Sequence, residues 1–289
     1  MSDQIKVWIV ACQGLVGFDM SKYLEDRKVS YVGSSHKEVD VLNVKDLETF
    51  YQMHKPTHII NCSANVNVDK AENEEKVLAR KVNVQGVINL AELAKLYDIK
   101  LVHIGTDYVF DGEKEGEYTE TDCVCPINEY GRTKLEGERK MLEVYPKSVC
   151  VRTASLYGGG KFGLIHGIIK ALQEKEIVQH ISDQISSPTC TEDLAKALFD
   201  IRDQSGVFHF VNGSSVSRMG LVKEVKKMLE EKGIPIKCKQ VVGVTRLESK
   251  RPAMRPKKTV LSTEKIKPFL TFPIRSWQSA VHEFVGEII

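Results

Sequence analysis

Lys6-Val7-Trp8-Ile9-Val10-Ala11-Cys12-Gln13-Gly14-Leu15-Val16-Gly17 is the stretch whose reading decides the fold. An apolar, β-branched run stops at small residues, and an amphipathic pattern over Leu15–Arg27 starts at once. A strand that turns into a helix through glycines is the opening of a βαβ unit. Gly14 lets the backbone approach a pyrophosphate, and Gly17 lets the helix pack closely on the strand. The unpaired N–H groups and dipole at the helix start, where Leu15 and Val16 lie, favour phosphate. A G-x-x-G-x-x-G loop would carry its first glycine where this chain has Ala11. Two glycines spaced by three are weak alone, because any turn can use them. Their place between the first strand and the first helix makes them a candidate cofactor site.

The same rhythm continues outward. Further strands are expected over Ser30–Gly33, His58–Cys62, Leu101–Gly105 and Ser148–Thr153, with helices over Val44–His54, Lys76–Tyr97 and Asn128–Glu143. Strand–helix alternation with right-handed crossovers predicts an α/β fold, a doubly wound Rossmann-type parallel sheet. After Leu156 the rhythm changes: Gly158-Gly159-Gly160 interrupts the chain. Helices over Leu164–Glu174, Glu192–Ile201 and Met219–Lys232 then mix with short strands. Residues 1–155, with about 183–206, are expected to form the NAD(P)-binding domain. Residues 156–289 mostly form a smaller, interleaved substrate-binding lobe.

Composition excludes several classes. Hydrophobic residues make up 42% and charged residues 28% of the 289, ordinary for a globular chain with a sizeable core. A formal net charge of +2 argues against a nucleic-acid partner. No basic-then-apolar leader precedes the first strand, and no apolar run approaches the ~20 residues of a membrane span. The seven cysteines form no C-x-x-C pair, and Cys123 and Cys125 lack a second ligand pair for zinc. No metal site is read from them. Scattered reduced thiols imply a cytoplasmic protein.

The turn after the second strand bears on the choice of cofactor. An NAD-selective site places an acid there for the ribose 2′-hydroxyl. Here Ser34, Ser35, His36 and Lys37 come first and no acid appears before Glu38. Small hydroxyls and a lysine suit a 2′-phosphate, so NADPH is expected, with NADH as the alternative. Asp40-Val41 sits where a carboxylate could accept from the adenine amino group. Cys62-Ser63-Ala64, at the end of the third strand, leaves room for a ribose.

Y-x-x-x-K places a phenol and an ammonium on one helical face. A phenol with a reference pKa of about 10 is poorly matched to acid–base work near pH 7, and an ammonium beside it is expected to lower that value. The spacing occurs three times, so spacing alone proves nothing. Tyr51/Lys55 closes a helix on the wrong side of the sheet, and Tyr157/Lys161 is interrupted by glycines. Tyr130/Lys134 opens a helix after the strand that ends in Gly105-Thr106. Thr106 then lies at the carboxyl end of a central strand, where ligands bind in such sheets. Its hydroxyl can bond the substrate oxygen that Tyr130 protonates, so Thr106, Tyr130 and Lys134 are the candidate catalytic set.

Val102-His103-Ile104-Gly105-Thr106-Asp107-Tyr108-Val109-Phe110-Asp111-Gly112 resembles the fourth-strand signature of dTDP-4-dehydrorhamnose reductases. Val68–Glu72, Asn83, Asn128–Lys134, Arg152-Thr153, Asp183-Gln184, Pro188-Thr189 and Arg255-Pro256 extend the likeness nearly end to end. The resemblance implies an extended short-chain dehydrogenase fold and reduction of a C4 ketone on a nucleotide-linked 6-deoxy sugar, dTDP-4-dehydro-L-rhamnose to dTDP-L-rhamnose. It implies a cofactor contact at Asn83, and substrate contacts at Asp107, Tyr108 and Arg255. It places Asp69-Lys70 near the sugar or cofactor. Asp19, Glu192 and Glu287 match carboxylates that could bind a magnesium ion between the subunits of a homodimer; solvated helix carboxylates explain them equally well.

The sequence departs from the family at Ala11, at Ser155 where a tryptophan is common, and in a shortened loop over Gly158–Phe162. Lys250, Arg251, Arg255, Lys257 and Lys258 form a basic run, read either as a solvated loop or as a clamp on the sugar-nucleotide diphosphate, for which arginine is suited. His103 is read as a packed core residue. Two alternatives stand beside the reductase: a cofactor-binding regulatory subunit resembling the β subunit of methionine adenosyltransferase, and a reductase or epimerase–reductase of another nucleotide sugar.

Overall fold

The computed structural model describes residues 5–160 and 163–289. Residues 1–4, read above for a leader, and Lys161 and Phe162 lie outside them. Six parallel strands build the central sheet: β1 (Lys6–Val10), β2 (Ser30–Ser34), β3 (His58–Asn61), β4 (Lys100–Ile104), β5 (Val149–Arg152) and β6 (Gly206–His209). Their spatial order is β6-β5-β4-β3-β1-β2. The chain reverses its direction of travel between β1 and β3, and the crevice outside the carboxyl ends of those strands is the expected ligand position.

Alternation along β1 sets the two layers. Val7 and Ile9 face one side, where α1 (Leu15–Asp26) contributes Val16, Met20 and Leu24 and α6 (Thr191–Asp200) contributes Leu194 and Leu198. Trp8 and Val10 face the other, against Leu47 of α2 (Val44–His54), Leu90 of α3 (Val87–Leu96) and Met141 of α4 (Glu129–Val144). A strand buried on both faces reads as a continuous apolar run, as Val7–Val10 does.

Beyond β5, α5 (Leu164–Glu174), α7 (Arg218–Glu231) and α8 (Trp277–Ile288) enclose a separate apolar core that includes Ile168, Leu172, Leu221, Val225, Val281 and Phe284. Short strand pairs connect this lobe: Ile177–Ile181 runs parallel to Gln240–Val244, and Ile185–Ser186 lies between Val216–Ser217 and Lys258–Thr259. Among the described residues no helix is long and apolar enough to cross a membrane.

One expected element is broken up. The helix read over Lys76–Tyr97 is an α-turn over Lys76–Arg80, a π-helical segment over Lys81–Gly86, and then α3. The wider turn buries Asn83 and carries its amide to the loop after β3. Single π-turns interrupt the 3.6-residue period without changing composition, so the apolar pattern passes through them unmarked.

Candidate active site

The turn after β1 forms as the sequence implies, at a cost in one position. Ala11 has φ 60°, in the left-handed region that glycine fills without strain, which is the conformation behind the missing first glycine. Its carbonyl accepts from Gly14 N at 3.0 Å. A Cβ on Gly17 would lie 2.5 Å from the Ala11 oxygen and 2.7 Å from Cys12 Cα, so only glycine fits. Gly14 caps α1 with no side-chain acceptor, and the first turn holds no acid. The N–H groups of Leu15 and Val16 therefore stand at the cavity wall with no acid to neutralise them, a cradle that fits a pyrophosphate.

That cavity, about 480 Å³, runs from Gly14, Leu15 and Val16 past Cys62, Ser63 and Ala64 to Thr106, Tyr130 and Lys134. Asp107, Tyr108 and Ser155 line its far end, together with Arg218. A second cavity of about 320 Å³ adjoins it through Ala11, Ser63 and Ala64 and is lined by His36, Asp40 and Val41. The adjoining cavity is walled mostly by apolar side chains, among them Val39, Val41, Leu78 and Val82, and the first carries the hydroxyls of Thr106, Tyr108 and Tyr130.

Tyr130 and Lys134 are delivered by α4. Asn128 starts that helix by accepting from Gly131 N at 2.8 Å, while its amide donates to the Met254 carbonyl at 2.8 Å. Two glycines bring the helix against its neighbours: a Cβ on Gly131 would meet the Tyr108 carbonyl at 2.2 Å, and one on Gly137 the Asn83 carbonyl at 2.0 Å. Beneath the pair, Glu138 accepts from Arg152 Nη2 at 2.5 Å and Nε at 2.9 Å, fastening α4 to β5 in the core.

The electrostatics differ from expectation. Burial pushes the Tyr130 phenol above its ordinary value, against a smaller downward pull from the Thr106 hydroxyl. Asp107 and Tyr108 push it the same way as burial. Lys134 Nζ lies 2.7 Å from the Ile104 carbonyl and 3.1 Å from His103 Nε2. Burial lowers Lys134 to about 8. Asp107 is likewise raised by burial, to about 6, although Thr259 and Thr106 both donate to it.

Several expected contacts fall elsewhere. Ser34 is wholly buried and its hydroxyl accepts from the Trp8 indole at 2.9 Å, so it faces the core and not a ribose. Ser35 donates through N and Oγ to Glu38, both at 2.8 Å, and Lys37 is exposed beyond the lined surface of either cavity. Asn83 is fully occupied inside the protein: Oδ1 accepts from Asn65 N at 2.9 Å, and Nδ2 donates to the Asn65 carbonyl and to Thr133, each at 3.1 Å. It ties the β3 loop to α4. Arg255 grips both oxygens of Asp69 and the Ala253 carbonyl, stapling its loop to Val68–Glu72, and is not among the cavity residues. Asp19 accepts from Gly159 N at 2.9 Å and from Thr191, and Lys22 pairs with Glu192 at 3.1 Å. Among the described residues no three metal-ligating side chains cluster.

Sequence reasoning missed Arg218 and weighed His36 only as part of a turn. Arg218 opens α7 after the Ser217 cap and reaches the cavity from the lobe, and no side-chain hydrogen bond holds it among the described residues. A cap residue followed by arginine is too common a sequence to single it out.

A parallel sheet with a glycine turn at the β1–β3 crevice and a Thr–Tyr–Lys set at one cavity defines a short-chain dehydrogenase/reductase of the extended type. The family model described as RmlD substrate binding domain matches residues 5–289. The chain belongs to the dTDP-4-dehydrorhamnose reductase family. It is 31% identical to the dTDP-4-dehydrorhamnose reductase of Aggregatibacter actinomycetemcomitans over 96% of this chain and 97% of that one. It is also 31% identical to the dTDP-4-keto-6-deoxy-D-glucose reductase of Streptomyces niveus, over 95% and 94%. The crystal structure of the dTDP-4-dehydrorhamnose reductase of Bacillus anthracis in complex with NADP superimposes with a TM-score of 0.91 at 29% identity, covering 98% of this chain and 99% of that one.

Proposed function

We propose that this chain reduces the C4 ketone of dTDP-4-dehydro-L-rhamnose to dTDP-L-rhamnose, using NADPH. One observation carries the proposal: Thr106, Tyr130 and Lys134 share a single cavity with the uncapped Gly14–Gly17 turn. The Gly14–Gly17 turn would hold a nicotinamide dinucleotide, whose chemistry there would be hydride supply to a carbonyl carbon. Tyr130 gives its phenolic proton to the carbonyl oxygen, and Thr106 holds that oxygen. A phenol pushed up by burial stays protonated at neutral pH and is therefore stored in the form that reduction consumes. Lys134 offers a cation to the phenolate that forms.

The same reading moves the diphosphate clamp. Arg218, at the cavity and without a side-chain partner, takes the role that the basic run suggested for Arg255. Its fork can bind phosphate oxygens in pairs.

The test is NADPH oxidation followed with a panel of nucleotide-linked 4-keto-6-deoxy sugars. Turnover is expected to be fastest with dTDP-4-dehydro-L-rhamnose. Faster turnover of dTDP-4-keto-6-deoxy-D-glucose, the sugar named for the Streptomyces relative, would reassign the substrate. Cofactor binding without turnover on any sugar would favour the regulatory-subunit reading.

A further inference from the structure

His103 and Asn61 lie behind Lys134, fully buried, and the chemistry described so far gives them nothing to do. Their hydrogen bonds can be assigned without seeing a proton, because one end is a backbone N–H, which only donates. Ser63 N lies 3.0 Å from Asn61 Oδ1, and Ser63 Oγ lies 2.6 Å from it. That oxygen must therefore be the acceptor, which leaves the Asn61 amide NH₂ facing His103. Nδ2 is 3.0 Å from His103 Nδ1. An NH₂ group only donates, so Nδ1 accepts and the single proton of the neutral ring sits on Nε2. Nε2 in turn lies 3.1 Å from Lys134 Nζ, whose other partner, the Ile104 carbonyl at 2.7 Å, only accepts. Every bond from Ser63 to Ile104 is then made in one direction, provided that Nζ has a lone pair for the Nε2 proton.

We propose that His103, oriented by Asn61, is a positioning residue that makes Lys134 a stronger acid through this one-way chain. An ammonium at Nζ cannot accept. Protonation must either face one donor with another at Nε2 or turn the imidazole and the amide over, which sets the amide NH₂ against the Ser63 N–H. Either arrangement loses a buried hydrogen bond, so the proton leaves Lys134 more readily than burial alone would dictate. The other titratable groups facing Nζ are Glu138 from its own helix, Cys62 from the end of β3 and Cys150 from β5, and all three favour the ammonium. The chain acts against them and adds to burial, which by itself already lowers Lys134. The inference rests on the reading of Tyr130 and Lys134 as the acid–base pair only for its consequence; the bonding itself does not.

The full chain labelled with ¹³Cε-lysine gives a direct readout, the titration midpoint of Lys134, assigned with Lys134→Arg. His103→Phe keeps the volume and removes the donor, so the midpoint should rise by about one pH unit, the equivalent of one lost hydrogen bond. Asn61→Asp changes one atom and reverses the chain. The new carboxylate accepts from Nδ1–H, Nε2 becomes an acceptor for the ammonium, and the midpoint should rise further. In the double variant that extra rise should shrink, because the ring that transmits it is gone. A midpoint unmoved in His103→Phe, or an equal Asn61→Asp rise with and without His103, overturns the proposal. If His103→Phe does not fold, Asn61→Asp decides alone: an unchanged midpoint is fatal. Midpoints that shift as stated in a protein that turns over no keto-sugar would leave this inference standing and remove the reductase reading instead.

Discussion

Helix α4 and the loop over Lys250–Lys258 both carry side chains of useful chemistry at suggestive spacing, and the structure treats them in opposite ways. Tyr130 and Lys134 both line the cavity. Arg255 is turned inward onto Asp69, a residue 186 positions away. The difference lies in what fixes each side chain. On a helix the backbone aims residues i and i+4 at one surface, and a capped start with glycine contacts settles which surface. In a loop nothing aims an arginine except the carboxylate that reaches it first, and any part of the chain can supply one.

Tyr130→Phe is the sharpest probe of the helical side of this contrast. Loss of the proton donor should lower kcat roughly a hundredfold to ten-thousandfold, the range of general acid catalysis. NADPH affinity, measured by fluorescence, should stay near that of the unmodified protein, since the phosphate turn is untouched. Turnover within a few-fold of the parent would take Tyr130 out of the chemistry.

The loop side is probed by a pair of arginines. Arg218→Ala should raise KM for the nucleotide sugar about tenfold, the factor that ~1.4 kcal/mol represents, and leave thermal stability alone. Arg255→Ala should do the converse. Asp69 would lose the partner that holds its carboxyl below the usual range, and stability should fall by about 1–3 kcal/mol, softened because Asp69 is partly exposed and can rehydrate. KM should hardly change. A tenfold KM effect from Arg255→Ala instead would mean that the Asp69 pair opens to substrate, and would erase the contrast.

What the sequence made legible follows the same division. The parallel sheet, the glycine turn and the Thr106–Tyr130–Lys134 set were readable because strand alternation, Gly14–Gly17 spacing and helical period are local rules. Asn83 and Ser34 bond inside the protein for a shared reason. Both are polar residues close to a cofactor in sequence, but Asn83 turns through a π-segment to bond Asn65 and Thr133, and Ser34 points inward to Trp8. A one-residue change of phase decides the side, and composition does not record it. The direction of the Tyr130 shift was missed because its largest cause is burial, which packing in three dimensions sets and helical spacing does not record.

The turn after β2 is the loop case at its weakest, and it carries the smallest expected effect. With Ser34 buried against the indole, Ser34→Asp would place a carboxylate in the core and report on stability, not on cofactor choice. Ser35, His36 and Lys37 are then the side chains of this turn left to be tested against a 2′-phosphate. Ser35 is already tied to Glu38, whose carboxylate accepts from both its N and its Oγ. Lys37 is exposed, so its pairing with a phosphate is screened by water and worth about 1 kcal/mol at most. Lys37→Ala should therefore weaken NADPH binding by no more than about fivefold and leave NADH binding where it was, a difference that raised salt should diminish. Equal Kd values for NADPH in the variant and the parent would assign the phosphate to His36, which lines the adjoining cavity. Equal losses for both dinucleotides would mean that Lys37 acts on the adenosine as a whole, and that this turn does not choose between them.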